Sequence, residues 1–184
     1  MKDELKIVLI QSQIFWKNKA KNLHHYANLI SRIDNSDIIL LPEMFNTAFC
    51  PDSIDLSETM TGKTVKWMQQ TALKKNSALT GSLMIKENNK IYNRAIWVSK
   101  NGEIFKYDKR HLFSLVKEDQ FLTAGAKRII VDVEGWKICP LICYDLRFPV
   151  FSRNNVNYDV LIYLANWPVK RIAAWDTLLK ARSI

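Results

Sequence analysis

Three side chains that could perform acyl chemistry together each follow a run of residues that is typical of a β-strand. Glu43, Lys109 and Cys143 come directly after such a run or within two residues of its end. A thiol can attack a carbonyl carbon, a carboxylate can accept and return a proton, and an ammonium can stabilise charge on the carbonyl oxygen. Because open α/β sheets bind ligands at the carboxyl ends of their strands, the three groups are candidates for one catalytic centre.

Cys143 follows the predicted strand at residues 136–142, which is mostly apolar, and precedes a polar segment. If the strand turns into a helix there, the helix dipole would favour the thiolate and backbone N–H groups could bind an oxyanion. The alternative is a buried structural cysteine, which is the interpretation we give to Cys50 and Cys139. Cys139 and Cys143 lie four residues apart in one strand, about 13 Å, so they cannot form a disulfide.

The other polar candidates each have a simpler alternative. Glu43, Lys109 and Glu118 could be surface residues of loops, although Glu118 could also orient Lys109. His24 and His25 are adjacent on a predicted helix and cannot face one metal ion together. His111 is expected to pack beside its apolar neighbours Leu112 and Phe113. The chain has no glycine-rich phosphate loop, H-E-x-x-H or G-x-S-x-G motif, and we predict no metal site.

The pattern of apolar residues predicts an α/β fold with helices outside and a mixed sheet inside. Turn signals at Asn88-Asn89, Asn101-Gly102 and Glu134-Gly135 predict hairpins. The predicted strands are residues 5–11, 37–41, 78–85, 92–99, 103–107, 128–133, 136–143 and 159–165. The first of these is expected to be covered on both faces. The predicted helices are residues 20–33, residues 61–75 with a cap from Thr61 or Thr64, and a segment after Pro168 with Ile172, Trp175 and Leu179 facing inward.

The overall composition predicts one domain spanning residues 1–184. The 184 residues are 48% hydrophobic, with five glycines and five prolines, and show no repeat or low-complexity stretch. The net charge of +9 is scattered rather than gathered in a block, which favours a solvated basic surface over a nucleic-acid-binding protein. With no signal peptide or membrane span and with unpaired thiols, we expect a soluble cytoplasmic protein.

Taken together, three segments of the chain resemble the signature regions of the nitrilase superfamily of carbon–nitrogen hydrolases, which is built around a Glu, a Lys and a Cys in this order. These segments are Leu41-Pro42-Glu43-Met44-Phe45, Tyr107-Asp108-Lys109-Arg110-His111-Leu112-Phe113 and Leu141-Ile142-Cys143-Tyr144-Asp145-Leu146-Arg147-Phe148-Pro149. Within the superfamily, the second and third segments and Ala165-Asn166-Trp167-Pro168 are particularly similar to bacterial omega-amidases, which act on 2-oxoglutaramate.

The resemblance implies a four-layer α-β-β-α sandwich assembled as a homodimer or larger homo-oligomer. Family members continue beyond Ile184, so we expect a C-terminally truncated domain that lacks its last strands. A terminal helix without a stop signal agrees with that expectation. An inactive truncated remnant is therefore one alternative, and a carbamoyl-amino-acid or nitrile hydrolase of the same superfamily is another.

The resemblance also implies roles for individual residues. Glu43 would take the proton of Cys143, whose sulfur attacks the amide of a small-molecule substrate. Lys109 and the backbone N–H of Tyr144 would hold the oxyanion, and Glu118 would position Lys109. The implied substrate-binding residues are Tyr144, Arg147 or Arg110 for a carboxylate, Asn166 and Trp167. No metal or organic cofactor is implied.

Overall fold

The computed structural model describes residues 2–183. The strands are β1 (Ile7–Leu9), β2 (Ile38–Leu40), β3 (Ala78–Glu87), β4 (Lys90–Val98), β5 (Ile104–Asp108), β6 (Val131–Val133), β7 (Trp136–Ile142) and β8 (Val160–Leu164). The α-helices are α1 (Lys19–Ser31), α2 (Lys63–Lys75), α3 (Glu118–Phe121), α4 (Pro149–Ser152) and α5 (Ile172–Arg182). Short 3₁₀ turns lie at Ile54–Leu56, Ser114–Val116, Cys143–Arg147 and Val169–Arg171.

The strands form two sheets. The larger has the order β1-β2-β3-β4-β5, with β1, β2 and β3 parallel and β3, β4 and β5 antiparallel. In the smaller sheet, β6 and β7 form a hairpin and β8 runs parallel to β7. Two of the predicted turns have positive φ at both central positions, Asn88-Asn89 and Glu134-Gly135, as type I′ hairpin turns require.

The continuous apolar run of β2 is explained by burial on both faces of the larger sheet. Successive side chains of a strand point in opposite directions. Ile38 therefore packs into a core shared with Ile138 and Leu141 of the smaller sheet. Ile39 packs on the other side against α1 and α2, where Tyr26 and Met68 are buried. The helix-covered sheet that faces a second sheet confirms the predicted α/β class and the sandwich.

Several local predictions were wrong. β1 is only three residues long and lies at the edge of its sheet, so Leu9 is 72% exposed rather than covered on both faces. In α5, Ile172 is 48% exposed instead of facing inward, whereas Trp175 and Leu179 are half-buried.

No helix within residues 2–183 is long and apolar enough to cross a membrane.

The start of α2 is capped differently from the prediction. Neither Thr61 nor Thr64 accepts a capping hydrogen bond, and the N-cap position is Gly62. Instead, the Glu58 carboxylate accepts hydrogen bonds from the Thr64 backbone N–H at 2.9 Å and from its hydroxyl at 2.6 Å. A carboxylate at a helix N-terminus satisfies free N–H groups and interacts favourably with the helix dipole.

Candidate active site

Lys109 lies between two carboxylates in the interior of the protein. Its Nζ donates to Glu43 Oε1 at 2.8 Å and to the two oxygens of Glu118 at 3.0 and 3.2 Å, and all three side chains are buried. Burial by itself would lower the pKa of Lys109, but the charges of Glu43 and Glu118 outweigh it and raise the pKa. Lys109 is therefore an ammonium at neutral pH. Burial raises the pKa of Glu118, and Lys109 opposes this shift.

Asn93 of β4 also bridges the two carboxylates. Its Nδ2 donates to Glu43 Oε1 at 2.8 Å and to Glu118 Oε1 at 3.0 Å. The amide is held in this orientation because Ser82 of β3 donates to its Oδ1 at 2.8 Å. Sequence reasoning missed Asn93 and Ser82. The available signal was that both are polar residues inside otherwise apolar, buried strands.

Hydrogen bonds beyond the ends of the strands fix the segments that carry Lys109 and Glu43. The Lys109 N–H donates to Asn93 O, and the Gly125 N–H donates to Lys109 O, both at 2.9 Å. A Cβ on Gly125 would lie 2.1 Å from the Asp108 carbonyl oxygen, so only glycine fits there. The remaining oxygen of Glu43, Oε2, accepts from the Asn166 N–H at 3.1 Å, after β8. The site therefore draws on the ends of β2, β5 and β8.

Cys143 begins the turn that follows β7, with a φ of 46° in the left-handed region. Its thiol is buried, and its pKa is raised well above the usual value by burial and by the Glu43 carboxylate, while Lys109 and the Asn166 N–H oppose the shift. The prediction that a helix N-terminus favours the thiolate of Cys143 is wrong, because a five-residue 3₁₀ turn takes the place of a helix. The resting group is a thiol that needs a base.

The comparisons with known proteins identify the family. The family model for carbon-nitrogen hydrolases matches residues 6–184. The chain belongs to the carbon–nitrogen hydrolase family.

Individual relatives are similar to this chain over almost its whole length. The omega-amidase YafV of Yersinia enterocolitica is 40% identical over 98% of this chain and 70% of its own length. The 2-oxoglutaramate amidase of Bacillus subtilis is 34% identical over 97% of this chain and 71% of its own. A crystal structure of XC1258 from Xanthomonas campestris, a CN-hydrolase superfamily protein with an arsenic adduct in its active site, superposes with a TM-score of 0.95 at 40% identity, covering 98% of this chain and 71% of that one.

In this carbon–nitrogen hydrolase, the three candidate catalytic residues open into one cavity of about 600 Å³. Its walls combine aromatic rings with a few polar groups, which is the usual character of a small-molecule site. Of the predicted substrate-binding residues, Tyr144, Arg147, Asn166 and Trp167 line this cavity. The other lining residues include Gln11, Ser12, Trp16, Phe49, Phe113, Val116 and Arg171.

Two arginines lie on the cavity wall, each against an aromatic ring. The Arg147 guanidinium lies 5.5 Å from the centre of the Trp167 ring, and that of Arg171 lies 5.2 Å from the Phe113 ring. The Trp167 indole N–H also donates to Arg171 O at 2.9 Å. Arg171 was missed in the sequence, where it is one of several basic residues after Pro168. Stacked guanidinium groups keep their edge N–H donors free for a carboxylate.

Two residues of the Lys109 segment lie elsewhere than predicted. Arg110 is exposed, does not line the cavity and donates to Gly125 O at 3.2 Å, so the structure does not bring it to the other predicted substrate-binding residues. His111 was expected to pack beside its sequence neighbours. Instead, its ring stacks on Phe148, with centroids 3.7 Å apart and planes 6° apart.

The three cysteines are free and buried, and burial raises the pKa of Cys139 to about 11.

Proposed function

We propose that this carbon–nitrogen hydrolase hydrolyses the terminal amide of a small carboxylate-bearing substrate, such as 2-oxoglutaramate, to the acid and ammonia. A thioester on Cys143 is the intermediate. The observation that carries the proposal is the buried contact of Lys109 with Glu43 and Glu118, because Lys109 and Glu43 line the same cavity as Cys143. The omega-amidase and 2-oxoglutaramate amidase relatives support the choice of substrate class.

In the first half of the reaction, Glu43 accepts the proton of Cys143 as the sulfur attacks the amide carbon. The electron pair of the C=O bond moves to oxygen, and Lys109 with the Tyr144 N–H stabilises the resulting oxyanion. Glu43 then returns the proton to the amide nitrogen, the C–N bond breaks and ammonia leaves. Because the pKa of Cys143 is raised, the thiol keeps its proton until a substrate is present.

In the second half, Glu43 accepts a proton from water as the water oxygen attacks the thioester carbon. The C–S bond breaks, the acid is released and the thiolate recovers the proton from Glu43. Glu118 stays an acceptor for Lys109 throughout, and so holds the ammonium in place while Glu43 changes its charge. No other residue is needed to move a proton in either half.

Arg147 and Arg171 are the proposed partners for the carboxylate at the far end of the substrate. Both line the cavity, and both are supported by aromatic rings. Charge-assisted hydrogen bonds from guanidinium to carboxylate are strong and directional. An amide that lacks the carboxylate leaves these cations unpaired, so it should be a poor substrate.

The test is ammonia release from matched amides. Succinamate and butyramide differ only by a carboxylate in place of a methyl group, and the proposal predicts that succinamate and 2-oxoglutaramate are hydrolysed at least about tenfold faster than butyramide. Cys143→Ala should abolish release, whereas Cys139→Ala, at a buried cysteine in β7, should retain it. Preference for a nitrile or a carbamoyl amino acid would overturn the substrate class, and turnover by Cys143→Ala would overturn the mechanism.

A further inference from the structure

Asp145 is a buried carboxylate close to the reactive thiol that the proposed mechanism does not use. It lies two residues after Cys143, in the same 3₁₀ turn, and is fully buried. It does not line the cavity and so cannot touch the substrate. A buried carboxylate is costly unless several donors satisfy it. The donors that surround Asp145 therefore indicate what it does.

Each oxygen of Asp145 accepts two hydrogen bonds. Oδ2 accepts from the Ile142 N–H at 3.0 Å and from the Tyr107 hydroxyl at 2.7 Å. Oδ1 lies 3.0 Å from the His111 backbone nitrogen, which donates to it, and 2.8 Å from His111 Nδ1. Four contacts fill the acceptor capacity of a carboxylate when His111 carries its proton on Nδ1. Burial and the charge of Asp145 raise the pKa of Tyr107, so its hydroxyl remains a donor.

These donors come from the two segments that carry the nucleophile and the ammonium. Ile142 immediately precedes Cys143, whose positive φ is costly for a residue with a side chain. Tyr107 and His111 lie two residues before and two residues after Lys109. A single carboxylate therefore fastens the strained Cys143 turn to the backbone on both sides of Lys109.

The aromatic rings around His111 fix the direction of its Nδ1. The imidazole stacks on Phe148 and meets the edge of Phe151 at 5.1 Å between centroids. Phe148 is itself tied to the turn, because its N–H donates to Asp145 O at 3.0 Å. The histidine is therefore held by two rings, both of which follow the Cys143 turn in the chain.

We infer that Asp145, with His111 and Tyr107, is a positioning network that holds the Cys143 sulfur at the correct place relative to Lys109. The inference rests on the proposed function, since it assigns the network a role in that reaction. The network acts through geometry and exchanges no proton with the substrate. Its loss should therefore lower kcat more than it changes KM.

The first test is Asp145→Asn, which replaces one acceptor oxygen by an N–H₂ group that must face donors. We expect kcat to fall by about tenfold to a hundredfold while KM changes by less than about threefold. Asp132→Asn is the control, because Asp132 also accepts a backbone N–H, from Gly135, but is an exposed residue of β6 that does not line the cavity. Equal kcat for folded Asp145→Asn and the control would overturn the inference.

The second test keeps the inference falsifiable even if Asp145→Asn does not fold. His111→Asn retains an N–H donor near the position of Nδ1, whereas His111→Ala removes it. We expect His111→Asn to retain at least about tenfold more kcat than His111→Ala at similar melting temperature. Equal losses in the two variants would show that the hydrogen bond to Asp145 has no positioning role.

A third readout separates this inference from the proposed function. The rate at which iodoacetamide alkylates Cys143 depends on the placement of the thiol and needs no amide substrate. We expect His111→Ala to slow that alkylation and His111→Asn to restore it. If His111→Ala slows alkylation and His111→Asn restores it, but the wild type releases no ammonia from any amide, the proposed function fails and the network stands. If ammonia is released and the variants alkylate alike, the network fails and the function stands.

Discussion

At the residue scale, the arrangement of charges around Lys109 makes each partner necessary to the others. One ammonium faces two carboxylates, all are buried, and Asn93 donates to the same oxygen of Glu43 and to an oxygen of Glu118 that Lys109 also contacts. Removing one member of a buried ion pair leaves a charge without compensation, which costs more than the pair itself contributes. The same cluster therefore supports the fold and the reaction.

Replacing Lys109 by methionine tests this dependence. We expect Lys109→Met to lose at least about a hundredfold in activity because an oxyanion partner is gone. We also expect a loss of about 3–5 kcal/mol in the free energy of unfolding, because Glu43 and Glu118 would face each other unpaired. Lys106→Met is the control, since Lys106 lies in β5 just before Lys109, is exposed and pairs with Glu87 at the surface. Both variants are measured by denaturant melts and ammonia assays. Equal stability and equal activity of Lys109→Met and Lys106→Met would contradict the expectation.

The raised pKa of Cys143 gives a prediction for its chemistry. A thiol whose pKa is raised is protonated at neutral pH, so its thiolate fraction grows as the pH increases. We expect the rate of iodoacetamide alkylation of Cys143 to rise about tenfold per pH unit between pH 7 and 9. Peptide mass mapping would distinguish Cys143 from Cys50 and Cys139. A rate that is flat from pH 6 upward would mean that the thiolate is already present.

At the element scale, the strand ends could be predicted from the sequence, but the directions of the side chains around them could not. The apolar runs before Glu43 and Cys143 identify β2 and β7, and the family motifs add Lys109. Asn93 lies within β4, where the sequence does not tell which face of the sheet meets Glu43 and Glu118. Arg110 and Arg147 are equivalent candidates in the sequence. Only the turn after β5 decides that Arg110 lies outside the cavity.

A substitution at Gly125 tests whether the backbone beyond β5 can move without affecting the site. A methyl group there must move the Asp108 carbonyl, and with it the Lys109 segment to which Gly125 is hydrogen bonded. We expect Gly125→Ala to destabilise the protein by about 1–3 kcal/mol and to lower kcat. Ala124→Ser, at the exposed neighbouring position, is the control. Full activity and an unchanged melting temperature in Gly125→Ala would show that the segment can shift without affecting the site.

At the scale of the whole molecule, the two facing sheets bring together groups that lie far apart in the chain. Glu43 follows a strand of the larger sheet and Cys143 follows a strand of the smaller one, so the inter-sheet core determines their separation. The homo-oligomer implied by the family resemblance stays a prediction. Sedimentation equilibrium should give a dimer or a larger assembly, and a monomer at micromolar concentration would contradict it.

The most direct test of the mechanism is to identify the atom that carries the acyl group. Wild-type protein is quenched in acid during turnover of 2-oxoglutaramate, and its peptides are weighed by mass spectrometry. The proposed mechanism predicts an acyl group of the substrate's mass on the peptide that contains Cys143. An acyl group on the Cys50 or Cys139 peptide instead, or continued turnover by Cys143→Ala protein, would contradict it.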